Sequence, residues 1–278
     1  MPPHRELAFE TLTVRREGGV LFTEILAPPM NLLGPELVRD LVALIQVAEA
    51  DDGVQVLVFT SGDPDYFISH VDLHQVAEYR QAAAKLTGEP SVGLMFRHLS
   101  ASRVVTIAQI EGRVRAVGSE FVLACDMRFA ARGSAIFGQF EPSLGSVPGG
   151  GAVQHLTRLM GRSRALEVLL SGEDYDADLA ERYGWINRSV PAETLADFVR
   201  SLAHRIAVLP ARARAVVKDR VNAIALAPEE EFRRDSDLFL ETVQDDEAQR
   251  QLTAAFEHGL QTREPELDFA RMVGELSD

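Results

Sequence analysis

The residues from 137 to 151 read Phe-Gly-Gln-Phe-Glu-Pro-Ser-Leu-Gly-Ser-Val-Pro-Gly-Gly-Gly and hold one glutamate, Glu141, among small residues. A second glutamate, Glu120, has similar surroundings in the stretch Ala-Val-Gly-Ser-Glu-Phe at 116–121. Each follows a run of residues typical of a β-strand, and the glycines let the backbone come close to a ligand. A carboxylate beside free backbone N–H groups is suited to handling an enolate. Two such carboxylates can add or remove water across a double bond.

Two more segments extend this pattern. Residues 66–73 read Tyr-Phe-Ile-Ser-His-Val-Asp-Leu, and residues 110–126, which include Glu120, begin with Ile-Glu-Gly-Arg-Val-Arg and end with Cys-Asp. Together with the stretch 137–151, they resemble in order and spacing the motifs of the crotonase (enoyl-CoA hydratase/isomerase) superfamily, and the likeness covers most of the chain. The resemblance implies an α/β fold. It consists of a spiral of ββα turns, residues 1–200, with the acyl-thioester site, and a helical C-terminal region, residues 201–278, that caps the core or mediates oligomerisation.

The resemblance also implies a substrate, an acyl thioester that is usually carried by coenzyme A. Two backbone N–H groups hold its carbonyl, and by position these belong to Ser69 and Val117. The remaining residues of the implied oxyanion and substrate-binding set are His70, Val71, Asp72 and Gly118. Glu120 and Glu141 match the glutamates that, in hydratases of the family, hold a water, deliver it to the β-carbon and manage the α-proton.

Because both glutamates are present, the chain is predicted to add water to a 2-enoyl thioester, as a lyase of fatty acid metabolism. One alternative is an isomerase, or another enolate reaction that uses mainly Glu141 and His70. A second alternative is a binding protein of the same fold whose site has drifted. No metal and no cofactor are expected beyond coenzyme A as part of the substrate. The family usually forms trimers or pairs of trimers, so a homotrimer or homohexamer is implied.

Several of these residues also have a structural interpretation. Glu120 can complement the dipole of a helix that Ser119 caps, and Glu141 can be a solvated loop carboxylate. Asp72 is expected to cap the next helix rather than to take part in chemistry. The glycines at 149–151 lack the Gly-Lys-Ser/Thr ending of a phosphate-binding loop, so they are interpreted as a tight turn that brings a helix close to the core.

The chain departs from the family pattern at the site itself. His70 stands where glycine is usual, so its imidazole can narrow the acyl pocket, bond a polar acyl group, act as an acid or base, or simply fill space. Ala116 and Val117 replace two glycines, and a β-branched residue such as Val117 resists positive φ. Glu111 replaces asparagine, and Phe140 replaces proline.

Composition limits the remaining function classes. The net charge of −14 over 278 residues counts against nucleic acid as a partner, and it makes a polyanionic ligand depend on local cations or backbone N–H groups. Arg113 and Arg115 are such cations, although loop arginines are more often solvated. No apolar run approaches the ~20 residues of a membrane span, and residues 1–7 have no apolar signal region. The single cysteine, Cys125, predicts neither a disulfide framework nor a metal cluster, so a cytoplasmic location is expected.

The hydrophobic pattern predicts the elements between these motifs. An opening hairpin, a helix from Pro35, and a mostly helical stretch at 73–100, interpreted as a mobile lid or an excursion from the core, precede the Glu120 segment. The predicted strands lie at 54–60, 104–110, 127–131 and 135–138, a short helix at 119–125, and almost only helix after 161. Apolar stripes in the last helices, such as Phe232 and Leu252, predict either a cap on the core or a contact with a partner subunit.

Overall fold

The computed structural model describes residues 9–274. The stretch predicted to lack a signal region, residues 1–7, lies outside the described residues, as do residues 275–278. The strands are β1 Leu12–Glu17, β2 Val20–Ile25, β3 Val56–Ser61, β4 Tyr66–Ile68, β5 Val105–Ile110, β6 Arg113–Arg115, β7 Met127–Arg132, β8 Ile136–Gly138, β9 Asp174–Asp176 and β10 Arg188–Pro191.

Helices alternate with these strands and then continue alone. They are α1 Pro35–Ala50, α2 Val76–Thr87, α3 Val92–Ala101, α4 Val117–Ala124, α5 Ala152–Met160, α6 Arg162–Ser171, α7 Ala177–Tyr183, α8 Ala192–Ala207, α9 Ala211–Ala225, α10 Glu229–Val243, α11 Asp246–Glu257 and α12 Phe269–Gly274. Short 3-10 helices lie at Glu141–Leu144 and Pro265–Asp268. Within residues 9–274, no helix combines the length and the apolar character needed to cross a membrane.

The strands form two sheets. The first has the order β1-β2-β3-β5-β7-β10, and its pairs are parallel apart from the β1–β2 hairpin. The second has the order β4-β6-β8-β9, with β4, β6 and β8 parallel. The chain therefore alternates between the sheets along a spiral, as predicted. Because the carboxyl ends of neighbouring parallel strands meet at one edge, the segments after β4, β6 and β8 come together there.

The core lies between these sheets and the helices. Every residue of α4 is buried, and the ring of Phe121 on this helix has its centroid 5.0 Å from that of Phe59 and 5.6 Å from that of Phe96. Phe96 belongs to α3, seven of whose ten residues are buried. The interpretation of residues 73–100 as an excursion from the core is therefore wrong for α3, because its apolar face packs against α4.

Four short strands were not predicted, and the first of them, β4, lies in the motif segment 66–73. The other three lie later in the chain. β6 lies inside the segment interpreted as a loop at 112–118, and β9 and β10 lie in the region after 161 interpreted as almost only helical. Their sequences, such as Asp-Tyr-Asp in β9, lack a run of β-branched residues. They form by pairing with β8 and β7, whose own sequences specify the sheets.

The C-terminal helices cover the core in part. Phe232, Leu252 and Ala255 are buried, so this portion of the apolar stripes caps the body of the protein. The boundary predicted at residue 200 falls inside α8, which packs on the first sheet. The two-part division of the chain stays a prediction.

Candidate active site

One cavity brings together both glutamates at the edge where β4, β6 and β8 end. We call it the glutamate cavity, and its volume is about 60 Å³. The predicted site residues that line it are His70, Val71, Val117, Glu120 and Glu141. Most of its other walls are apolar, and they are formed mainly by Leu73, Val92, Ala116, Phe140, Leu144, Phe239, Val243 and Leu252, with Tyr79 and Arg80 beside them.

Backbone N–H groups hold the carboxylate of Glu120. Its Oε1 accepts hydrogen bonds from the Gly150 N–H at 2.7 Å and the Ala152 N–H at 3.1 Å, where α5 begins. A Cβ on Gly150 would lie 2.5 Å from Glu120 Oε2, so only glycine allows this approach. The glycine turn at 149–151 therefore binds a carboxylate of the chain itself. The predicted cap by Ser119 is wrong, because Ala116 is the N-cap residue of α4 and the Ser119 Oγ accepts a bond from Trp185.

Glu141 lies across the cavity in the 3-10 helix that follows β8. Its Oε1 accepts a hydrogen bond of 2.9 Å from Gln139 Nε2, whereas its Oε2 is buried and has no protein partner among the described residues. The side chain is buried, so the interpretation of Glu141 as a solvated loop carboxylate is wrong. A buried oxygen without a partner is costly unless a ligand or water satisfies it, and Glu141 lines the cavity.

The two glutamates hold protons more strongly than exposed carboxyl groups do. Burial raises the pKa of Glu120 to about 7, although the N–H groups around it act in the opposite direction. Burial, followed by the charge of Glu120, raises the pKa of Glu141 to about 8. The pair titrates together, and two nearby carboxylates resist double ionisation. Near neutral pH the arrangement therefore supplies one acid and one base.

Two backbone N–H groups at the cavity are available to a ligand. The N–H of Val117 begins α4, so it has no acceptor within the helix, and no partner for it lies among residues 9–274. The Val71 N–H likewise has no partner in this range, although its neighbours are bonded: His70 O accepts from Leu33, and Asp72 N–H donates to Leu33 O. Both Val71 and Val117 line the cavity.

Ser69, Asp72 and Gly118 do not line the cavity. The Ser69 N–H donates to Asn31 O at 3.4 Å. Asp72 accepts the His74 N–H at 2.9 Å in the turn before α2, whose N-cap residue is Gln75, so Asp72 stabilises the turn rather than the cap itself. A Cβ on Gly118 would lie 2.0 Å from Ile68 O, so this glycine allows α4 to approach β4.

Val117 does not need the positive φ that its β-branched side chain resists. Ala116 takes that conformation instead, with φ 46° and ψ −122°. Such a backbone conformation costs a non-glycine residue about 1–3 kcal/mol. Ala116 thus stores strain where the chain turns from β6 into α4, directly before Val117.

His70 is held by its neighbours rather than turned towards a ligand. Its Nδ1 lies 2.8 Å from Val71 O, and its Nε2 lies 2.8 Å from the Oε1 of Glu266, which is fully buried. The Val71 carbonyl can only accept, so Nδ1 carries a proton. No local pattern predicts Glu266 as the partner of His70, since the two residues are 196 positions apart.

Burial of two arginines, Arg115 and Arg80, was not predicted from the sequence. Arg115 is buried and forms a bidentate ion pair with Asp174, so its interpretation as a solvated loop residue is wrong. Arg80 on α2 is also buried and lines the glutamate cavity, and sequence reasoning missed it. An arginine in a helical pattern carries no signal that it faces inward, because inward orientation depends on the packing of α2 against α10.

Comparison with known proteins adds independent evidence. The family model described as enoyl-CoA hydratase/isomerase matches residues 15–264. The chain belongs to the enoyl-CoA hydratase/isomerase family. It is an enzyme of this family, and the resemblance to the crotonase superfamily is confirmed, with the α/β fold and C-terminal helices that it implied.

Members of the enoyl-CoA hydratase/isomerase family match most of the chain. A protein of Mycobacterium bovis named as a probable enoyl-CoA hydratase is 31% identical over 217 residues, which cover 78% of this chain and 82% of its own length. The 2,3-dehydroadipyl-CoA hydratase of Escherichia coli is 32% identical over 197 residues, 70% of this chain and 75% of its own. A solved structure from Streptomyces avermitilis, provisionally named an enoyl-CoA hydratase, is 48% identical with a TM-score of 0.94, covering 96% of this chain and 97% of its own.

Proposed function

We propose that this enzyme adds water to the double bond of a 2-enoyl thioester. The observation that carries the proposal is the placement of two buried, mutually coupled glutamates in one cavity with two unpartnered backbone N–H groups. Hydration needs a base that takes a proton from water, an acid that gives a proton to the α-carbon, and hydrogen-bond donors that stabilise the negative charge on the carbonyl oxygen. All three are present within this one lining. The relatives named as hydratases support the same reaction class.

In this proposal the N–H groups of Val71 and Val117 bind the thioester carbonyl oxygen. We assign the first donor to Val71 rather than Ser69, because the Ser69 N–H already has an acceptor and Ser69 lies outside the cavity lining. As water attacks the β-carbon, electrons move onto the carbonyl oxygen and form an enolate. Preorganised donors stabilise that charge, and loss of one such donor typically costs about 10²–10³ in rate.

The different surroundings of the glutamates assign their roles. Glu120 accepts backbone N–H bonds, which favour its ionised form, so it takes the proton of the attacking water. Glu141 has the higher pKa, about 8, and gives its proton to the α-carbon. The product is a 3-hydroxyacyl thioester, and transfer of the proton from Glu120 to Glu141 restores the starting state.

Glutamine substitutions test this proposal, since glutamine keeps the shape of each side chain but removes the acid or base. We expect Glu120→Gln and Glu141→Gln each to lower kcat at least about a hundredfold for 2-enoyl-CoA substrates of four carbons and more. The measurement is the loss of enoyl-thioester absorbance, with the product identified by mass. Glu111→Gln is the matched control, because Glu111 bonds Gln109 and does not line the cavity.

Wild-type turnover in both variants would contradict hydration by the glutamate pair. Double-bond migration without gain of water would point to isomerisation. Retained turnover in Glu120→Gln, combined with a large loss in Glu141→Gln, would point to the same reaction. The carrier of the acyl group, the cytoplasmic location and a role in fatty acid metabolism stay predictions.

We further propose that the chain assembles as a trimer or a pair of trimers. Support comes from α9, which turns polar groups inward: Lys218 Nζ bonds Asp126 Oδ2 at 2.7 Å, and Asn222 bonds Ser100 O at 2.9 Å. The outer face of the same helix is apolar, with Val217 63% and Ile224 83% exposed. An apolar face of this kind marks a contact with another molecule.

A further inference from the structure

Arg80 occupies an unusual position for a cation. It lies on α2 with 8% of its surface exposed, and it lines the same cavity as Glu120 and Glu141. Its surroundings in the cavity are largely apolar, including Leu73 and Val92. A guanidinium group removed from water needs hydrogen-bonding partners and a counter-charge.

The described part of the chain satisfies this need only in part. Arg80 Nη1 donates to the carbonyl and hydroxyl oxygens of Ser236 on α10, at 3.1 and 2.9 Å. Among residues 9–274 no carboxylate forms an ion pair with Arg80, and the nearest acidic influence comes from Asp237, which is exposed to solvent. The remaining nitrogens of Arg80 have no acceptor among the described residues, and they are not fully shielded from solvent, so they are open to a ligand. An anion in the cavity would supply both the acceptor and the charge.

We propose that Arg80 binds a carboxylate at the far end of the acyl group, so that the substrates are mono-thioesters of 2-enedioic acids. The proposal rests on the hydratase function above. The reacting carbons lie between the glutamates, and Arg80 is the one arginine or lysine in the lining of the cavity that holds them. Bidentate recognition of a carboxylate by arginine adds both affinity and orientation. Ser236 is a positioning residue that holds one arm of the fork.

A phosphate of coenzyme A is the other anion available in a thioester. Arg80 also faces an outer groove of about 610 Å³, which shares Leu73, Val243 and Leu252 with the glutamate cavity. We assign Arg80 to the acyl end because it lines the same cavity as Glu120 and Glu141. N-acetylcysteamine thioesters, which carry no phosphate, separate the two sources.

The experiment compares three acyl groups on coenzyme A and on N-acetylcysteamine: a 2-enedioic acid of five or six carbons, its terminal methyl ester and the plain 2-enoyl chain of equal length. We expect wild-type kcat/KM to be at least about tenfold higher for the free carboxylate on both carriers. Arg80→Met should abolish that preference, because its loss of kcat/KM should be at least about tenfold larger for the free carboxylate than for the neutral chains, and Arg80→Lys should keep part of the preference. Arg39→Met, an exposed arginine on α1, is the matched control for loss of charge.

Three results would overturn the proposal. The first is a wild type that prefers the neutral chains. The second is an equal loss of kcat/KM for all three acyl groups in Arg80→Met, as a purely structural role predicts. The third is loss of the carboxylate preference on N-acetylcysteamine thioesters, as phosphate binding predicts. If the wild type hydrates none of the substrates, the proposed hydratase function is wrong. The role of Arg80 is then tested by ligand binding. A saturated dicarboxylic acyl-CoA should then raise Tm more than its methyl ester in the wild type but not in Arg80→Met. Equal stabilisation by both would overturn the proposal in that case too.

Discussion

Glu141 carries a carboxyl group that folding removes from water and places near another carboxyl group. Its pKa of about 8 in the folded chain exceeds the unfolded value of 4.5, so the folded state holds more protons between these values. Stability therefore falls as pH rises from about 4.5 to 8. The folded chain thus gives up stability to keep a proton available at neutral pH, which is a frequent property of active sites.

This loss of stability with rising pH predicts that Glu141→Gln has a higher unfolding free energy than the wild type at high pH but not at low pH. Glutamine resembles the protonated carboxyl group, so the variant should match the wild type in unfolding free energy at pH 5. At pH 8 it should exceed the wild type by on the order of a few kcal/mol, since each pKa unit corresponds to about 1.4 kcal/mol. Urea unfolding at both pH values measures the difference. A constant offset between the two proteins would mean that Glu141 is not the group that titrates.

The pair of His70 and Glu266 connects the loop that contains Val71 with the C-terminal segment. Glu266 Oε1 also accepts the Gln261 N–H, so removal of the carboxylate leaves two buried groups without partners. We expect Glu266→Ala to lower the unfolding free energy by about 2–4 kcal/mol. In a double-mutant cycle with His70→Ala, the coupling should be about 1–3 kcal/mol. Additive effects would show that the contact contributes nothing of its own.

At the residue scale, the sequence motifs predict which side chains come together but not what surrounds them. Glu120, Glu141 and Val117 all reach the cavity, because each follows a strand of one sheet. The burial of Glu141 and the inward orientation of Arg80 depend on helices that arrive much later in the chain. Such tertiary effects leave no local pattern in the sequence, since the contacts involve residues more than 100 positions apart.

At the scale of elements, the site depends on the close approach of β4 and α4. Strand β4 ends just before the loop that contains the Val71 N–H, and helix α4 begins with the Val117 N–H. Gly118 sets their separation, because a Cβ there would meet the backbone of Ile68. The longer strands and helices were predictable from hydrophobic periodicity, as in the β1–β2 hairpin and α1. The short strands β6, β9 and β10 were not, because their neighbours specify them.

The variant Gly118→Ala tests whether the fold depends on the close approach of β4 and α4. A contact of 2.0 Å with Ile68 O cannot be relieved by a side-chain rotation, so α4 and β4 must move apart. We expect a loss of about 3 kcal/mol or more in unfolding free energy. Gly34→Ala is the control: an added Cβ there meets its nearest atom at 3.6 Å, so its cost should stay below about 1 kcal/mol. Equal stability of the two variants in urea would show that the approach is not rigid.

At the scale of the whole molecule, α9 is oriented against the usual rule for a surface helix. Its charged Lys218 and Arg214 are buried against the body, whereas Val217, Val221 and Ile224 face outward. A monomer would gain nothing from this orientation, because apolar surface in water is unfavourable at about 25 cal/mol per Å². The orientation becomes favourable if another subunit covers the face. The predicted oligomer therefore explains a feature that the isolated chain does not.

The double variant Val217→Glu/Ile224→Glu tests this explanation. Charges on the outer face should prevent burial of α9 between subunits without disturbing its inner contacts, so the fold should persist. In sedimentation equilibrium the wild type should have three or six times the chain mass of 30.6 kDa, and the variant should approach one. Glu193→Gln, on the exposed side of α8, should leave the wild-type mass unchanged. A monomeric wild type at micromolar concentration, or a variant that keeps the full oligomer mass, would exclude α9 as the subunit contact.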